Sequence, residues 1–462
     1  MSTKQQLKIQ LTSLGCARND VDSEELAGRL DAAGFILVDD QADLVLINTC
    51  GFIEQAKKDS IDTIIAAADT GVPVVAVGCL AERYGTELAA QLPEAAAVLG
   101  FDDYPDIAAK LQSVLRGEKV AAPTPRDRRA LLPISPVDRA AFTHQAPGHQ
   151  MVAGLGGPKV LRKRISNKPY APLKIASGCD RRCTFCAIPR FRGSFVSRPA
   201  AEILTEANWL AEQGVTELVL VSENSTSYGK DLGEPRAIED LLRKLAKVDG
   251  INWVRVTYLQ PAELRPTLVS AIAEIPGVVP YYDLSFQHAS ATLLRSMKRF
   301  GGTADFLTLI EQIRALDPTA GIRSNFIVGF PGETEDDFAE LEAFLTQAKL
   351  DAVGVFGYSV EDGTEAADFK PQHDSSKIES RVSYLSFVAD ELVNQRAMAR
   401  IGEQTTVMID QVGEQIEGRA AHQAPETDGT VSISTDTILE VGKVYAAEVI
   451  DAEGADLVAK LV

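Results

Sequence analysis

The chain of 462 residues lacks any apolar run long enough to span a bilayer. Its longest apolar stretches, such as residues 72–80, fall far short of the roughly 20 residues that a membrane helix needs. The N-terminal sequence MSTKQQLKIQ also lacks the apolar core of a secretory signal. We therefore expect no membrane association and a location in the cytoplasm.

The chain is also poor in positive charge. Its 65 acidic residues outweigh 46 basic ones and leave a formal net charge of −19. This balance argues against a protein that binds nucleic acid through a generally basic surface. Hydrophobic residues make up 45% of the chain, so it can bury ample core, and its length suggests about three domains.

Cysteine is scarce, and its distribution is informative. The six cysteines are Cys16, Cys50, Cys79, Cys179, Cys183 and Cys186. In a large chain without an export signal, metal binding or catalysis explains cysteines better than disulfides do. They form a dispersed set (Cys16, Cys50 and Cys79) and a compact set (Cys179, Cys183 and Cys186).

The members of the dispersed set each follow a predicted β-strand. The predicted strands are residues 9–14, 44–48 and 74–78, and the predicted helices are residues 23–33, 54–68 and a third from residue 81. Such alternation predicts a parallel α/β sheet, and open sheets of this kind bind ligands at the carboxyl ends of their strands. One cysteine there could simply be a buried apolar residue, but three at equivalent positions favour a metal site.

Residues 121–168 break this alternation. The stretch is rich in proline and glycine, and nine basic residues against two acidic ones give it a net charge of +7. These features predict an interdomain linker. Its basic residues could contact RNA or phosphate, but a solvated linker is the interpretation that we favour.

A longer series of alternating strands and helices begins at residue 172. The predicted strands are residues 173–176, 217–222, 253–258, 282–286, 322–328 and 352–358, separated by helical patterns such as 200–213 and 335–347. Six strands at this spacing predict a partial TIM-like barrel of (βα)6 type. A helical stretch, residues 375–401, then leads to short alternating strands, among them 405–409 and 430–433, which predict a small antiparallel β-barrel.

The compact set forms the run CDRRCTFC, a C-x3-C-x2-C spacing directly after the first barrel strand. Thiolates are preferred ligands of iron–sulfur clusters, and close spacing lets one loop wrap a cluster. Three protein ligands leave one iron open, which suits a cluster that binds a substrate or cofactor. A closed zinc site would need a fourth ligand, and no histidine lies nearby in sequence.

This run, after the first strand of a partial barrel, resembles the signature of radical S-adenosylmethionine enzymes. Around the dispersed set, SLGCARNDVDSE, NTCGFIEQAKKDS and VGCLAERY resemble the cluster-binding domain of the methylthiotransferase branch of that superfamily. SGCDRRCTFCAIPRFRGSFVSR resembles its radical domain, and the C-terminal part resembles a TRAM domain, its substrate-docking barrel. Two independent cysteine sets at the family positions make the resemblance specific.

The resemblance implies a multidomain α/β architecture. Residues 1–120 would form a parallel α/β domain of flavodoxin or Rossmann type that binds an auxiliary cluster. Residues 121–168 would be the basic linker, 169–400 the radical S-adenosylmethionine barrel and 401–462 the TRAM domain.

The resemblance also implies the cofactors and the activity. The compact set would hold a 4Fe–4S cluster whose open iron binds S-adenosylmethionine, which serves as radical source and methyl donor. The dispersed set would hold a second 4Fe–4S cluster, whose open iron carries the sulfur to be inserted. The implied enzyme is a methylthiotransferase with no catalytic side chain beyond its cluster-bound cofactors, reduced by an electron donor of flavodoxin or ferredoxin type.

Further strand ends would complete the cofactor pocket. Ser222, Glu223 and Asn224 follow the second barrel strand, where the superfamily holds the amino group of the methionine moiety, although the family more often has Gln-Asp there. Gln287 and His288 follow the fourth strand and match the family. The histidine could equally be a hydrogen-bonded structural residue.

Val328, Gly329 and Phe330 begin the sequence VGFPGET, which resembles the adenosine-contacting segment of the family. Its glycines allow close backbone approach, and the following helix N-terminus offers amides to a polar ligand. The alternative is an ordinary strand–helix turn capped by Thr334.

Charge distinguishes between the two substrate classes of the family. RimO-type enzymes modify an aspartate of ribosomal protein S12 of the small subunit, and MiaB-type enzymes modify an adenosine in transfer RNA. Residues 402–462 carry three basic and twelve acidic residues, a net charge of −9. So acidic a docking barrel would repel a phosphate backbone and attract a basic protein. A merely solvated acidic surface is the alternative.

We therefore expect transfer of a methylthio group to the β-carbon of the S12 aspartate, in free S12 or in the small subunit, and disfavour transfer RNA. The sequences APETDG at residues 424–429 and SYG at residues 227–229 also resemble the RimO branch. A non-catalytic iron–sulfur carrier is disfavoured, because an electron carrier needs neither open irons nor a large barrel.

Overall fold

The computed structural model describes residues 6–131, 152–154, 157–159 and 162–462. Its N-terminal part is a parallel sheet in the order β2-β1-β3-β4-β5. The strands are β1 (Lys8–Ser13), β2 (Ile36–Leu37), β3 (Leu44–Thr49), β4 (Val74–Gly78) and β5 (Ala97–Val98). The helices are α1 (Ala17–Ala32), α2 (Glu54–Ala68), α3 (Cys79–Gln91) and α4 (Ile107–Leu115). Strands β3 and β4 are buried throughout, as expected at the centre of a parallel sheet.

Helix α1 begins earlier than its apolar pattern predicts. It starts at Ala17, directly after Cys16, although the predicted helix started at residue 23. The first turns carry Asn19, Asp22 and Glu24, which are buried despite being polar. Because these side chains pack against charged groups of the next domain, the apolar periodicity that reveals a helix is lost there.

Each end of the predicted linker carries a buried arginine, although most of its described residues are exposed or half-buried. Arg128 is buried and donates to Glu82 at 2.8 Å, within a short 3-10 helix, Arg128–Leu131. Arg162 is also buried, and it donates to Glu24 at 2.5 Å and Glu206 at 2.6 Å. A short antiparallel pair, β6 (Val152–Gly154) and β7 (Gly157–Lys159), lies between them. The rest of the predicted linker falls largely outside the described residues.

The central part is the predicted six-stranded partial barrel. Its strands form two parallel sheets, β12-β11-β8 and β13-β14-β15, connected by a parallel bridge between Leu259 and Leu284. The strands are β8 (Tyr170–Lys174), β9 (Ala176–Ser177), β10 (Val196–Ser197), β11 (Glu217–Val221), β12 (Trp253–Val256), β13 (Tyr281–Gln287), β14 (Gly321–Val328) and β15 (Ala352–Gly357), of which β9 and β10 form a separate antiparallel pair.

Helices cover the outside of this barrel. They are α5 (Ile188–Arg192), α6 (Ala200–Glu212), α7 (Ala237–Leu245), α8 (Pro266–Glu274), α9 (Ala291–Ser296), α10 (Thr303–Leu316), α11 (Glu335–Ala348) and α12 (Ser375–Met398). Between strands and helices lies the largest apolar core, in which Phe286 stacks on Phe306 with ring centroids 4.3 Å apart. No helix of the described chain is long and apolar enough to cross a membrane.

The C-terminal part is a closed barrel in the order β16-β17-β18-β20-β19. Its strands are β16 (Gln404–Gln411), β17 (Ile416–Ala420), β18 (Val431–Ile433), β19 (Val444–Glu453) and β20 (Asp456–Leu461). Buried Arg419 connects it to the central barrel, because its guanidinium lies 2.7 Å from Glu217 and 2.6 Å from Asp410. The predicted small barrel is confirmed, with four antiparallel strand pairs and one parallel pair, β18 with β20.

The N-terminal sheet also packs onto the central barrel through buried charges. Asp22 on α1 accepts hydrogen bonds from Lys174 on β8 and from Arg192 on α5. On another side, Glu361 accepts from Lys57 at 3.1 Å and from Arg83 at 2.6 Å. These contacts fix the carboxyl ends of the N-terminal strands against the carboxyl end of the barrel.

Candidate cofactor and substrate site

The dispersed set lies at the carboxyl ends of three neighbouring strands, as predicted. Cys16 follows β1, Cys50 follows β3, and Cys79 begins α3 directly after β4. Gly78 has φ +92°, and a Cβ at this position would lie 2.1 Å from Oδ1 of Asn48. Only glycine can therefore make the turn that brings Cys79 to the site.

The three thiols of the dispersed set are electrostatic neighbours. Burial raises the pKa of Cys79 to about 12, and the nearby Cys50 and Cys16 contribute in the same direction. Burial also opposes ionisation of Cys16, but the charges of Arg18 and Arg192 outweigh it and hold the pKa of that thiol below its usual value. The site thus supplies positive charge to ligands that must be thiolates.

Arg192, from the central barrel, contacts the dispersed set. Its Nη2 atom donates to Sγ of Cys79 at 3.1 Å and to Oδ1 of Asn19 at 2.8 Å. Asn19 in turn donates to the carbonyl oxygens of Leu14 and Thr49, at 2.8 and 3.1 Å. One buried network therefore connects the barrel, the start of α1 and the thiol of Cys79.

The compact set lies in the loop between β9 and α5. The backbone N–H of Cys179 donates to the carbonyl of Gly193 at 3.1 Å, and that of Cys186 donates to the carbonyl of Cys183 at 3.1 Å. Burial raises the pKa of Cys186 to about 12, with Cys183 contributing, and raises that of Cys179 well above its usual value. The three thiols again lie within electrostatic range of one another.

The donor chemistry of both sets fits iron–sulfur clusters. Each offers three soft thiols and no histidine or carboxylate ligand. Within the described residues, no three Cys, His, Asp or Glu side chains close around a single metal ion. Three thiols in each set suit a cluster with one open iron, whereas a closed zinc site would need a fourth ligand.

Both sets open into one cavity of about 370 Å³. Its wall contains Cys16 and all three cysteines of the compact set, whereas Cys50 and Cys79 are more deeply buried. The volume is in the range of small-molecule sites. A larger depression of about 810 Å³ lies on the outer helices α7 and α8, but no cysteine lines it, so we assign the chemistry to the cavity between the cysteine sets.

Glu223 is the most distinctive predicted residue in this cavity. Its side chain is only 2% exposed, and neither carboxylate oxygen accepts a hydrogen bond from the described residues. Nε of Arg18 lies 3.9 Å and Nε of Arg192 lies 3.7 Å from one of its oxygens. A buried carboxylate with open acceptor positions, beside Cys179, fits a ligand ammonium group.

The side chains next to Glu223 make most of their hydrogen bonds within their own loop. The hydroxyl of Ser222 lies 3.0 Å from that of Ser225 and accepts from the backbone N–H of Asn224 at 3.1 Å. The side chain of Asn224 donates to Ser227 at 2.9 Å. Neither Ser222 nor Asn224 lines the cavity, and their contacts with a cofactor stay predictions.

Two lining residues have strained backbones. Tyr258 follows strand β12 and has φ +58°, and Gln287 ends strand β13 and has φ +72°. Non-glycine residues rarely adopt this region, and strain of this kind concentrates at functional sites. The backbone N–H of Tyr258 donates to Oδ2 of Asp283 at 2.8 Å, which holds the turn in place.

His288 does not line the cavity, and a contact between it and a cofactor stays a prediction. It is fully buried; its Nε2 lies 3.1 Å from Oε1 of Glu333, and its Nδ1 accepts from the backbone N–H of Ser290 at 3.0 Å. The other oxygen of Glu333 accepts from the N–H of Gly329 at 2.6 Å. His288 thereby connects the end of β13 to the turn after β14.

The turn after β14 does not itself line the cavity. Val328 and Phe330 are fully buried, and the ring of Phe330 packs against Tyr358 with centroids 5.3 Å apart. The same strand reaches the cavity through Asn325 and Ile327 instead. An adenosine contact by Val328, Gly329 or Phe330 stays a prediction.

Sequence reasoning missed several lining residues. Arg18 and Arg299 supply positive charge, and Tyr258 supplies an aromatic face. Nη1 of Arg299 lies 3.7 Å from Sγ of Cys183. Two positions were possible signals, that of Arg18, two residues after Cys16, and that of Tyr258, at the end of the predicted strand 253–258. Arg299 comes from a distant loop and had none.

Comparison with known protein families agrees with this geometry. Residues 8–100 match the model described as uncharacterized protein family UPF0004, residues 173–345 match the radical SAM superfamily, and residues 401–462 match the TRAM domain. Membership of the radical SAM superfamily implies a 4Fe–4S cluster and S-adenosylmethionine as cofactors.

A solved structure shares the fold. The radical S-adenosylmethionine methyltransferase TsrM from Kitasatospora setae, with tryptophan substrate and a cofactor analogue bound, superposes with a TM-score of 0.51. It is 15% identical, and the similarity covers 76% of this chain and 73% of that chain. At this identity the likeness concerns the fold alone.

Curated relatives are far more similar in sequence. The ribosomal protein uS12 methylthiotransferase RimO of Saccharopolyspora erythraea is 59% identical over 98% of this chain and 95% of its own length. The protein of the same name from Nocardioides sp. is 57% identical over 98% of this chain and 97% of its own length. The chain therefore belongs to the RimO family of radical S-adenosylmethionine methylthiotransferases.

Proposed function

We propose that this chain transfers a methylthio group to the β-carbon of an aspartate in ribosomal protein uS12. The observation that carries this proposal is the single cavity whose wall contains cysteines of both sets. When bound there, S-adenosylmethionine and two 4Fe–4S clusters supply the radical, the sulfur and the methyl group. The second cluster, at the dispersed set, is part of the proposal.

The protein's own task is placement. Glu223 would hold the ammonium group of S-adenosylmethionine next to the compact set, because it is a buried carboxylate with open acceptor positions. The apolar side chains of Phe185, Ile188 and Ile327 line the same cavity and exclude water from it. The substrate carbon would then lie between the two sets, within reach of both.

The surface of the C-terminal barrel supports a protein substrate over RNA. Of its three basic residues, Arg419 is buried in ion pairs, and Lys443 and Lys460 each lie next to a glutamate. Acids such as Glu414, Asp436 and Glu453 are exposed. Buried Arg419 and buried Asp428 cancel, so the outer face keeps its strong acidic excess, and it would attract a basic ribosomal protein and repel phosphate.

The direct test uses the reconstituted enzyme with a flavodoxin- or ferredoxin-type reductant, the class of electron donor that we propose. Purified uS12, small ribosomal subunits and transfer RNA are offered in parallel, and products are identified by mass spectrometry. We expect methylthioaspartate in uS12 and unmodified transfer RNA. Modified adenosine with unmodified uS12 would overturn the proposal. Since the substrate is ribosomal, we also infer a cytoplasmic location.

A further inference from the structure

The proposed substrate carries a negative charge next to the reacting atom. In an aspartate, the β-carbon is bonded directly to the carboxyl carbon. Whatever holds the carboxylate must therefore lie at the gap between the two cysteine sets. Three arginines line the cavity, namely Arg18, Arg181 and Arg299.

Two of these arginines are already engaged at the barrel side. Nε of Arg181 lies 3.0 Å from Oε1 of Glu263, so its charge is compensated within the protein. Arg299 donates through Nη2 to the carbonyl of Ser285, and its Nη1 lies 3.7 Å from the thiol of Cys183. Both arginines are thus held on the side of the compact set, Arg181 by Glu263 and Arg299 beside Cys183.

Arg18 occupies the gap between the two sets. It enters from the first turn of α1, and its charge influences the thiols of both Cys16 and Cys186, one from each set. Nη1 donates to the carbonyl of Ser222 at 3.2 Å. Nε is buried and donates no hydrogen bond to the described residues, since the nearest oxygen of Glu223 is 3.9 Å away.

The guanidinium is held over an aromatic ring. Its carbon lies 4.7 Å from the ring centroid of Tyr258, a cation–π contact. Tyr258 is itself fixed by its strained turn and by the hydrogen bond to Asp283. An arginine immobilised in this way pays little conformational entropy when it binds a planar carboxylate.

We propose that Arg18 binds the carboxylate of the substrate aspartate and so selects an acidic side chain for modification. This inference rests on the proposed function. Arginine forms paired, charge-assisted hydrogen bonds to carboxylates, which gives both affinity and orientation. The β-carbon, one bond away, is thereby placed between the sets. An adenine base carries no carboxylate next to the reacting carbon for this paired interaction.

The test compares uS12 with a variant that has asparagine at the target aspartate. For each enzyme, the ratio of kcat/KM for the two substrates is measured, and so is equilibrium binding of the two matching peptides to the cluster-free chain. Wild type should prefer aspartate by roughly 10- to 100-fold, as expected for hydrogen bonds between charged groups. Arg18→Met should lose most of this preference, and Arg18→Lys should keep part of it.

Each ratio compares the kcat/KM values of two substrates with the same enzyme variant. A general loss of activity or of iron therefore does not change it. Arg116→Met removes an exposed arginine of the same domain and should keep the wild-type ratio. The inference is overturned if Arg18→Met prefers aspartate as strongly as wild type does, in turnover and in peptide binding. If wild type modifies transfer RNA instead of uS12, the proposed function itself fails.

Discussion

The buried carboxylate of Asp22 should be the strongest single electrostatic tie between the N-terminal sheet and the barrel. Its side chain is 1% exposed, between Lys174 at 0% and Arg192 at 3%. Asp22→Asn keeps the shape but removes the carboxylate that the two buried cations share. Removing one partner of a buried pair costs about 3–5 kcal/mol, and we expect a loss of this size in the free energy of unfolding.

The assay is equilibrium urea unfolding followed by tryptophan fluorescence. The chain has only two tryptophans, Trp209 on α6 and Trp253 on β12, so the signal reports on the barrel. Asp31→Asn is the matched control, because Asp31 lies on the same helix and pairs with Lys163 while 54% exposed. An exposed pair contributes less than about 1 kcal/mol. Equal effects of the two substitutions would refute the reasoning.

The same carboxylate predicts a pH dependence. Burial would raise the pKa of Asp22, but Lys174 and Arg192 outweigh it and hold the pKa below its usual value. The stabilisation is therefore complete above the unfolded pKa of about 3.9 and is lost as pH falls toward the folded pKa. Asp22→Asn should remove this acid-dependent loss. A variant whose stability falls as steeply as that of wild type below pH 4 would contradict the assignment.

Three further predictions concern function. Anaerobic reconstitution should give about eight irons per chain. Replacing the three cysteines of the compact set with alanine should halve the iron content and abolish cleavage of S-adenosylmethionine. The same replacement at the dispersed set should halve the iron content but leave cleavage measurable. Glu223→Gln should leave the iron content unchanged but weaken S-adenosylmethionine binding, measured by equilibrium dialysis, by roughly 10- to 100-fold. An unchanged affinity would exclude Glu223 as the ligand of the ammonium group. Replacing Glu414, Asp436, Asp451 and Glu453 with Lys should raise the KM for uS12 and have little effect on substrate-free cleavage. The KM is measured at low salt, because at physiological salt the steering by exposed charges is screened over about 8 Å. An unchanged KM would mean that the acidic surface is only solvated.

Asp428 is unsuitable for that last test, although it is one of the twelve acids counted in residues 402–462. Its carboxylate is buried and accepts from the hydroxyl of Tyr281 and, at 3.1 Å, from the backbone N–H of Ala424. Lysine there would disrupt the packing of the barrel instead of its surface charge. Counting charges along a sequence does not separate exposed acids from structural ones.

The strands that precede the dispersed set were predictable, β3 and β4 as short apolar runs and β1 as a short run of alternating apolar and polar residues, each ending at a turn. The two-residue strands β2 and β5 were not predicted, since so few residues give no periodic pattern. The start of α1 was missed because its buried face is polar. In each case the tertiary partner, and not the local sequence, determines the structure.

The residues of the cavity likewise include some that the sequence predicts and some that it does not. The compact set and Glu223 follow predicted strands, so their position at the carboxyl end of the barrel could be expected. Which side chains of a strand-end loop face the cavity depends on turn geometry, as in the positive φ of Gln287. The burial of Val328 and Phe330 behind that wall could not be read from their order in the chain.

The hydrogen bond from Arg192 to the thiol of Cys79 has a consequence for dissection of this protein. A fragment that ends at residue 120 would keep every cysteine of the dispersed set yet lose the cation beside one of them. It would also expose Asp22 and Glu24, whose buried partners all lie beyond residue 120. The two halves are thus not separable modules: a truncated N-terminal domain would be a poor guide to how the intact enzyme loads or tunes its auxiliary site.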